Sequence, residues 1–122
     1  MTICNCDIIL FFYFAYRKDL KVDFNTEILE FKQILDGHYE YIGETKDNKY
    51  HGLGVLDGTL STYIGQFKDG LANGIGIKIV NNSEIYIGQF KNDCFNGYGM
   101  HIAFDGKIKF GNWENNVFVG RN

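Results

Sequence analysis

The chain has 122 residues, 45% of them hydrophobic and 22% charged, with a formal net charge of −3. That length holds one ordinary domain, the apolar content excludes a disordered polymer, and the lack of a basic excess argues against nucleic acid as a partner. Fifteen glycines with no proline, beside 16% aromatic residues, exclude a collagen-like chain and favour strands over helices.

Residues 1–40 read as an N-terminal capping or linker segment, since no glycine occurs before Gly37. Three cysteines give no closed disulfide framework, so a reducing, cytoplasmic setting is expected. Cys4-x-Cys6 has no histidine or third cysteine near it and reads as two isolated thiols rather than a metal site. The apolar run Ile8–Tyr16 is nine residues long, far short of the ~20 that span a bilayer. Asp7 before it and Arg17-Lys18 after it do not make a secretory signal. It reads either as a strand that caps a sheet or as a segment that adheres to a partner or membrane surface. Thr26–Leu35 also admits two readings. One is an amphipathic helix with Thr26 as N-cap, Ile28, Phe31 and Leu35 on one face, and Gly37 as the stop. The other is a degenerate return strand, with Phe31 where a glycine would stand.

From residue 41 a repeat takes over. Gly43, Gly65, Gly88 and Gly111 are spaced by 22, 23 and 23 residues, and nine residues after each stands Gly52, Gly74, Gly97 or Gly120. Gly54, Gly76 and Gly99 follow two further on. Such a period marks stacked units, here 41–62, 63–85, 86–108 and a partial unit 109–122. Two residues before the first glycine come Tyr41, Tyr63, Tyr86 and the exception Lys109; two after it come Thr45, Phe67, Phe90 and Trp113. Five after it, Asn48, Gly70, Asp93 and Asn116 all tolerate a left-handed backbone, which predicts a short turn ending in a left-handed residue. Asp57-Gly58, Asn81-Asn82 and Asp105-Gly106 mark the loops between units. Each unit reads as strand, tight turn, strand. The expected fold is mainly β: an elongated single-layer antiparallel sheet of consecutive β-hairpins.

Alternate residues of a strand share a face. Tyr63, Gly65 and Phe67 are therefore expected on one face, and Gly74 with Gly76 on one face of the return strand. Rings would lie over glycine backbones, where a β-carbon would collide. On this reading Gly74→Val costs more stability than Phe67→Leu.

Tyr63-Ile64-Gly65-Gln66-Phe67-Lys68-Asp69-Gly70, followed by Asn73-Gly74-Ile75-Gly76, resembles the MORN repeat, and residues 86–108 match nearly as well. The resemblance covers residues 41–122. It implies a platform for proteins or lipids, with any catalysis placed on a separate domain.

Catalytic, cofactor and metal sites are expected to be absent. His38, His51 and His101 fall in different units; His51 takes the slot of Asn73 and Asn96 as a turn residue, and His101 reads as a surface residue on a return strand. Cys94 falls in a predicted turn, while Ser61 and Ser83 lie between hairpins with no neighbouring base. Asp47, Asp69 and Asp93 are explained by local turn hydrogen bonds. The candidate partner-binding face is the aromatic column Tyr41, Tyr63, Phe67, Tyr86, Phe90 and Trp113. Its alternative role is simply the core.

Three functions fit. The first is a non-catalytic interaction or scaffolding module, docking a protein or assembling with itself through the sheet ends at a cytoskeletal or membrane-associated site. The second is a phospholipid-binding module, weakened by eight basic against nine acidic residues from Gly37 onward. The third is a non-catalytic fragment of a larger enzyme that carries such repeats.

Overall fold

The computed structural model describes residues 29–121, and every regular element in that span is a strand. They are β1 (Glu30–Asp36), β2 (Tyr39–Lys46), β3 (Lys49–Asp57), β4 (Ser61–Lys68), β5 (Leu71–Val80), β6 (Glu84–Lys91), β7 (Cys94–Ile102), β8 (Ile108–Glu114) and β9 (Val117–Gly120). Each pairs antiparallel with the next, so one open sheet runs in sequence order from β1 to β9. The mainly β, single-layer architecture is the one the repeat implies.

Of the two readings of Thr26–Leu35, the strand is the one found over Glu30–Asp36. Its register differs from expectation by one residue. Lys32 pairs with Gly43, as Gly54 pairs with Gly65, so Lys32 and not Phe31 holds the glycine position. A slip of one residue exchanges the faces of a strand, and Phe31 accordingly lies on the face opposite the tyrosines. Cys4-x-Cys6 and Ile8–Tyr16 lie outside the described residues.

The turns inside the four units are Asp47-Asn48, Asp69-Gly70, Asn92-Asp93 and Asn115-Asn116. Both residues of each have positive φ, between 46° and 89°. The sequence pointed to one left-handed residue per turn; the structure has two. A two-residue loop of this mirror-image type matches the right-handed twist of the flanking strands, which explains the run of Asn, Asp and Gly. The turns also stack. Gly70 N donates to Tyr50 O, Asp93 N to Ala72 O and Asn116 N to Phe95 O, at 2.8–3.0 Å. Asp93 and Asn116 accept in return from the backbone of Ala72 and Phe95 at 2.7 and 2.8 Å.

Each of the first three hairpins contains a bulge. Gly65 pairs with Gly76 and Phe67 with Ala72, so Gln66 alone faces Asn73, Gly74 and Ile75. Gly52, Gly74 and Gly97 sit at the middle of these bulges with φ of 80°, 102° and 103°. Side chains of Glu44, Gln66 and Gln89 reach into them and accept from the N–H of Leu53, Ile75 and Tyr98 at 2.7, 2.7 and 2.5 Å. The bulge corrects the expectation that Gly74 and Gly76 share a face. A β-carbon on Gly74 would meet Gln66, whereas one on Gly76 would meet the Tyr63 ring on the other side of the sheet. Positive φ at Gly74 reverses the direction in which its side chain would leave the backbone.

Candidate interaction surface

On the first face, the rings of the aromatic column lie over glycines. Tyr41, Tyr63 and Tyr86 cover Gly54, Gly76 and Gly99, where an added β-carbon would come within 2.7 Å of ring carbons. Neighbouring units interlock by edge-to-face contacts: Tyr63–Phe90 at 4.9 Å, Tyr41–Phe67 at 5.3 Å and Tyr86–Trp113 at 5.5 Å. Such pairs contribute about 0.5–1.5 kcal/mol beyond burial alone. Tyr50 and Phe95 stack on Tyr41 and Tyr86 at 4.0 and 3.8 Å.

The structure thus brings together all six residues of the aromatic column, Tyr41, Tyr63, Phe67, Tyr86, Phe90 and Trp113, and uses them as the core, 0–6% exposed. Their polar atoms are engaged as well. The tyrosine hydroxyls donate to the Glu44, Gln66 and Gln89 carbonyls at 2.5, 2.7 and 3.0 Å, and Trp113 Nε1 donates to Gly99 O at 3.1 Å. Burial pushes the Tyr41 and Tyr63 phenols well above their ordinary range and Tyr86 up to about 12. A partner would meet the surroundings of these rings rather than their faces.

A family model for the MORN repeat matches residues 41–59, 63–79 and 86–107. The chain is a MORN repeat protein. No curated protein matches it significantly. The MORN repeat is a non-catalytic module associated with protein and membrane interaction. The β8–β9 hairpin lies beyond the matched residues yet continues the MORN register, with Gly99 opposite Gly111 and Gly97 opposite Trp113. Strand β1 continues it at the other end.

The opposite face of this MORN array carries a surface that the sequence analysis missed. A row of cross-strand neighbours runs Val55, Ile64, Ile77, Ile87, Met100, Phe110. Beside it lies Ile79, Ile85, Ile102, Ile108. A third row alternates Gln66, Ile75, Gln89, Tyr98 and Asn112. From β4 to β8 these rows contain no charged side chain. Ile64, Ile75, Ile87, Tyr98, Ile108 and Phe110 are 39–60% exposed. Scattered apolar residues on a surface are ordinary, but a contiguous block of this kind marks an interaction site. The signal was present in the sequence as Ile75, Ile77 and Ile79 on one face of a single strand. Only the sheet shows that successive hairpins extend it into rows.

At the hairpin-turn end this face is bordered by Lys46, Lys49, Lys68, Lys91 and Glu114, all exposed. At the opposite end it carries Glu40 and Asp57, and Asp57 accepts from the Thr62 hydroxyl at 2.7 Å.

The chemistry-bearing residues stay apart. His51 lies within β3 rather than in a turn, and its Nδ1 accepts from the Asp69 N–H of the next unit's turn at 3.3 Å. His101 differs from the surface position expected of it. It is half-buried on the aromatic face, 5.8 Å from the Trp113 ring and 3.6 Å from Glu84, because the even spacing of β7 places it on the same face as Gly99. Cys94 is a free thiol at the first position of β7 rather than within the turn, and Ser61 likewise opens β4. Among the described residues no group of three His, Cys, Asp or Glu is placed to hold a metal ion, and no helix is long and apolar enough to cross a membrane.

Proposed function

We propose that this MORN array is a non-catalytic protein-interaction or scaffolding module whose contact surface is the isoleucine face. The supporting observation is the charge-free block from β4 to β8, an apolar sheet surface that has no second layer over it among the described residues. Apolar contact area of this kind gains roughly 25 cal/mol per Å² when a partner covers it. The cytoplasm, at a cytoskeletal or membrane-surface assembly, is the proposed setting. Self-association through the sheet ends belongs to the same proposal, since β1 and β9 each have one strand neighbour among the described residues and unpaired edges invite pairing.

The test is proximity labelling in cells with the wild-type chain and with Ile64→Lys/Ile87→Lys. Loss of a defined set of neighbours in the double variant supports the reading. Identical sets from two equally folded proteins would sink it.

Phospholipid binding is the second reading, and a specific feature favours it: four lysines, beside the one acidic residue Glu114, border the apolar face on one side. Basic residues at an anionic membrane contribute about 1 kcal/mol each, and apolar side chains between them could enter the interface. Flotation with vesicles containing phosphatidylserine, against neutral vesicles, decides it. Equal recovery from both would remove this reading.

A further inference from the structure

We infer that the aromatic face holds a binding site for a single aromatic ring bearing a carboxylate, in a notch where Ala72 stands in place of a ring. The site lies on the other side of the sheet from the isoleucine face and does not depend on the role proposed there.

The notch comes from one column of the repeat. Opposite Thr45, Phe67, Phe90 and Trp113, the return strands present Tyr50, Ala72, Phe95 and Phe118. In the first and third units this residue is a ring stacked on the unit's tyrosine. Tyr50 lies on Tyr41 at 4.0 Å and 13°, and Phe95 on Tyr86 at 3.8 Å and 2°. Ala72 has no ring, and Tyr63 has no stacked neighbour among the described residues. It keeps the edge-to-face contacts of Phe67 and Phe90, both at 4.9 Å. These are shorter than the 5.1 and 5.5 Å that Phe90 and Trp113 make to Tyr86, yet they do not close the gap. A cavity of about 270 Å³ remains, walled by Tyr63, Phe67, Ala72 and Phe90. It is the exception to the enclosure of the aromatic column.

Phe95 shows what the notch accepts. Its ring stacks on Tyr86 and meets Phe90 and Trp113 edge-on at 5.5 and 5.7 Å. A ring from outside would find the same set in Tyr63, Phe67 and Phe90, and aromatic pairs prefer these two geometries. The volume falls just below the ~300–1,000 Å³ of ordinary ligand pockets. That suits one ring with a short substituent and excludes a larger ligand.

Charge selects the substituent. Lys78 pairs with Tyr63 across β4 and β5, is half-buried and lines the cavity together with Ser61. Leu56 and His101 hold the same position in the neighbouring units, and His101 has Glu84 beside it at 3.6 Å. Lys78 has no carboxylate partner among the described residues. An ammonium placed there gives a charge-assisted hydrogen bond to a ligand carboxylate. Asp93 lines the cavity as well, and its Oδ1 accepts from the Ala72 N–H at 2.7 Å. Its negative charge turns an anion away from the hairpin-turn end, so the acid points to Lys78. Free aryl acids and chains ending in an aromatic residue share this chemistry.

The experiment is amide NMR titration of the full-length chain with hydrocinnamate, whose ring stands two carbons from its carboxylate. Acetate and the corresponding phenyl alcohol are the controls. Saturating shifts centred on Tyr63, Ala72 and Lys78 are expected, with both controls at least tenfold weaker. Ala72→Phe fills the notch and Lys78→Met removes the charge, and each should weaken binding at least tenfold. Ile87→Lys, on the opposite face, should bind as the wild type does. Circular dichroism shows whether each variant is folded. Shifts that never saturate overturn the proposal, as does acetate binding equally well, which would mean a surface cation alone. Undiminished binding by folded Ala72→Phe also overturns it. Should Ala72→Phe fail to fold, Lys78→Met and the map of shifted amides decide. The peptide Gly-Gly-Phe, with the same spacing from ring to free carboxylate, separates the sources. Tighter binding than hydrocinnamate assigns the site to a chain terminus, and weaker binding assigns it to a small aryl acid.

Discussion

A methyl group on Gly76 would press against the Tyr63 ring, 2.6 Å from its Cε2, while Gly70 in the neighbouring turn has open space around it. At the residue scale these two glycines therefore answer to different constraints. Gly76 is required by a ring, and Gly70 only by its φ of 89°. Gly76→Val is expected to destabilise by about 3 kcal/mol or more through overpacking, exceeding Phe67→Leu. Gly70→Asn should stay within about 0.5 kcal/mol, because asparagine tolerates the left-handed region and occupies that column at Asn48 and Asn116. Urea denaturation of the three variants provides the order. Gly74→Val is also expected to cost more than Phe67→Leu, on account of its φ and of Gln66 rather than of a ring. The core tyrosines add a pH dependence. Burial raises the Tyr86 phenol from 10.0 to about 12, and Tyr41 and Tyr63 move in the same direction. The unfolded chain therefore releases these protons first. Their contribution is complete below about pH 10 and is lost as pH rises toward and beyond 12. Tyrosinate absorbance and circular dichroism should change together in that window. Ionisation of every tyrosine before any loss of structure would contradict this burial.

At the scale of the element, each hairpin depends on a side chain that replaces a missing ladder bond. The bulge leaves the Ile75 N–H without a strand partner, and Gln66 Oε1 accepts it at 2.7 Å. Gln66→Ala should cost about 1–2 kcal/mol, the usual consequence of removing such a partner. Gln66→Glu should cost much less, since Glu44 makes the same contact to Leu53 in the first hairpin. Amide exchange at Ile75 would report the difference directly. Equal losses for Ala and Glu would mean that the side chain's packing, not its acceptor, matters here. This role was not legible in the sequence. Alternation along the strand says only that Gln66 points away from Tyr63 and Phe67, and a bulge of three residues against one leaves no signature beyond a glycine. The turns were easier to read because Asp69-Gly70 and Asn115-Asn116 carry their own conformational preference.

For the array as a whole, the absence of a second layer among the described residues makes it quasi-one-dimensional, each hairpin stabilised by its two neighbours. Protection should therefore be greatest in the middle. Backbone amides of β4–β6 are expected to exchange more slowly than those of β9, a four-residue edge strand. Hydrogen exchange read by mass spectrometry checks this, and β9 exchanging as slowly as β5 would show that something covers that edge.

The sequence by itself determined the period, the hairpins, the positions of the turns and the need for glycine beneath aromatic rings. All of these are set by contacts within one unit or between a unit and the next, and so they recur as a column every 22 or 23 residues. It did not determine whether the six aromatic residues would be displayed or enclosed. That depends on how closely Tyr63 and Phe90 approach across hairpins, a distance of 4.9 Å set by stacking. Nor could it place Lys32 rather than Phe31 opposite Gly43, because register is fixed by pairing with β2 and not by composition. The isoleucine face was decided by tertiary structure for the same reason. Ile64, Ile77 and Ile87 are far apart along the chain in terms of local contact, and only antiparallel registry lays them side by side.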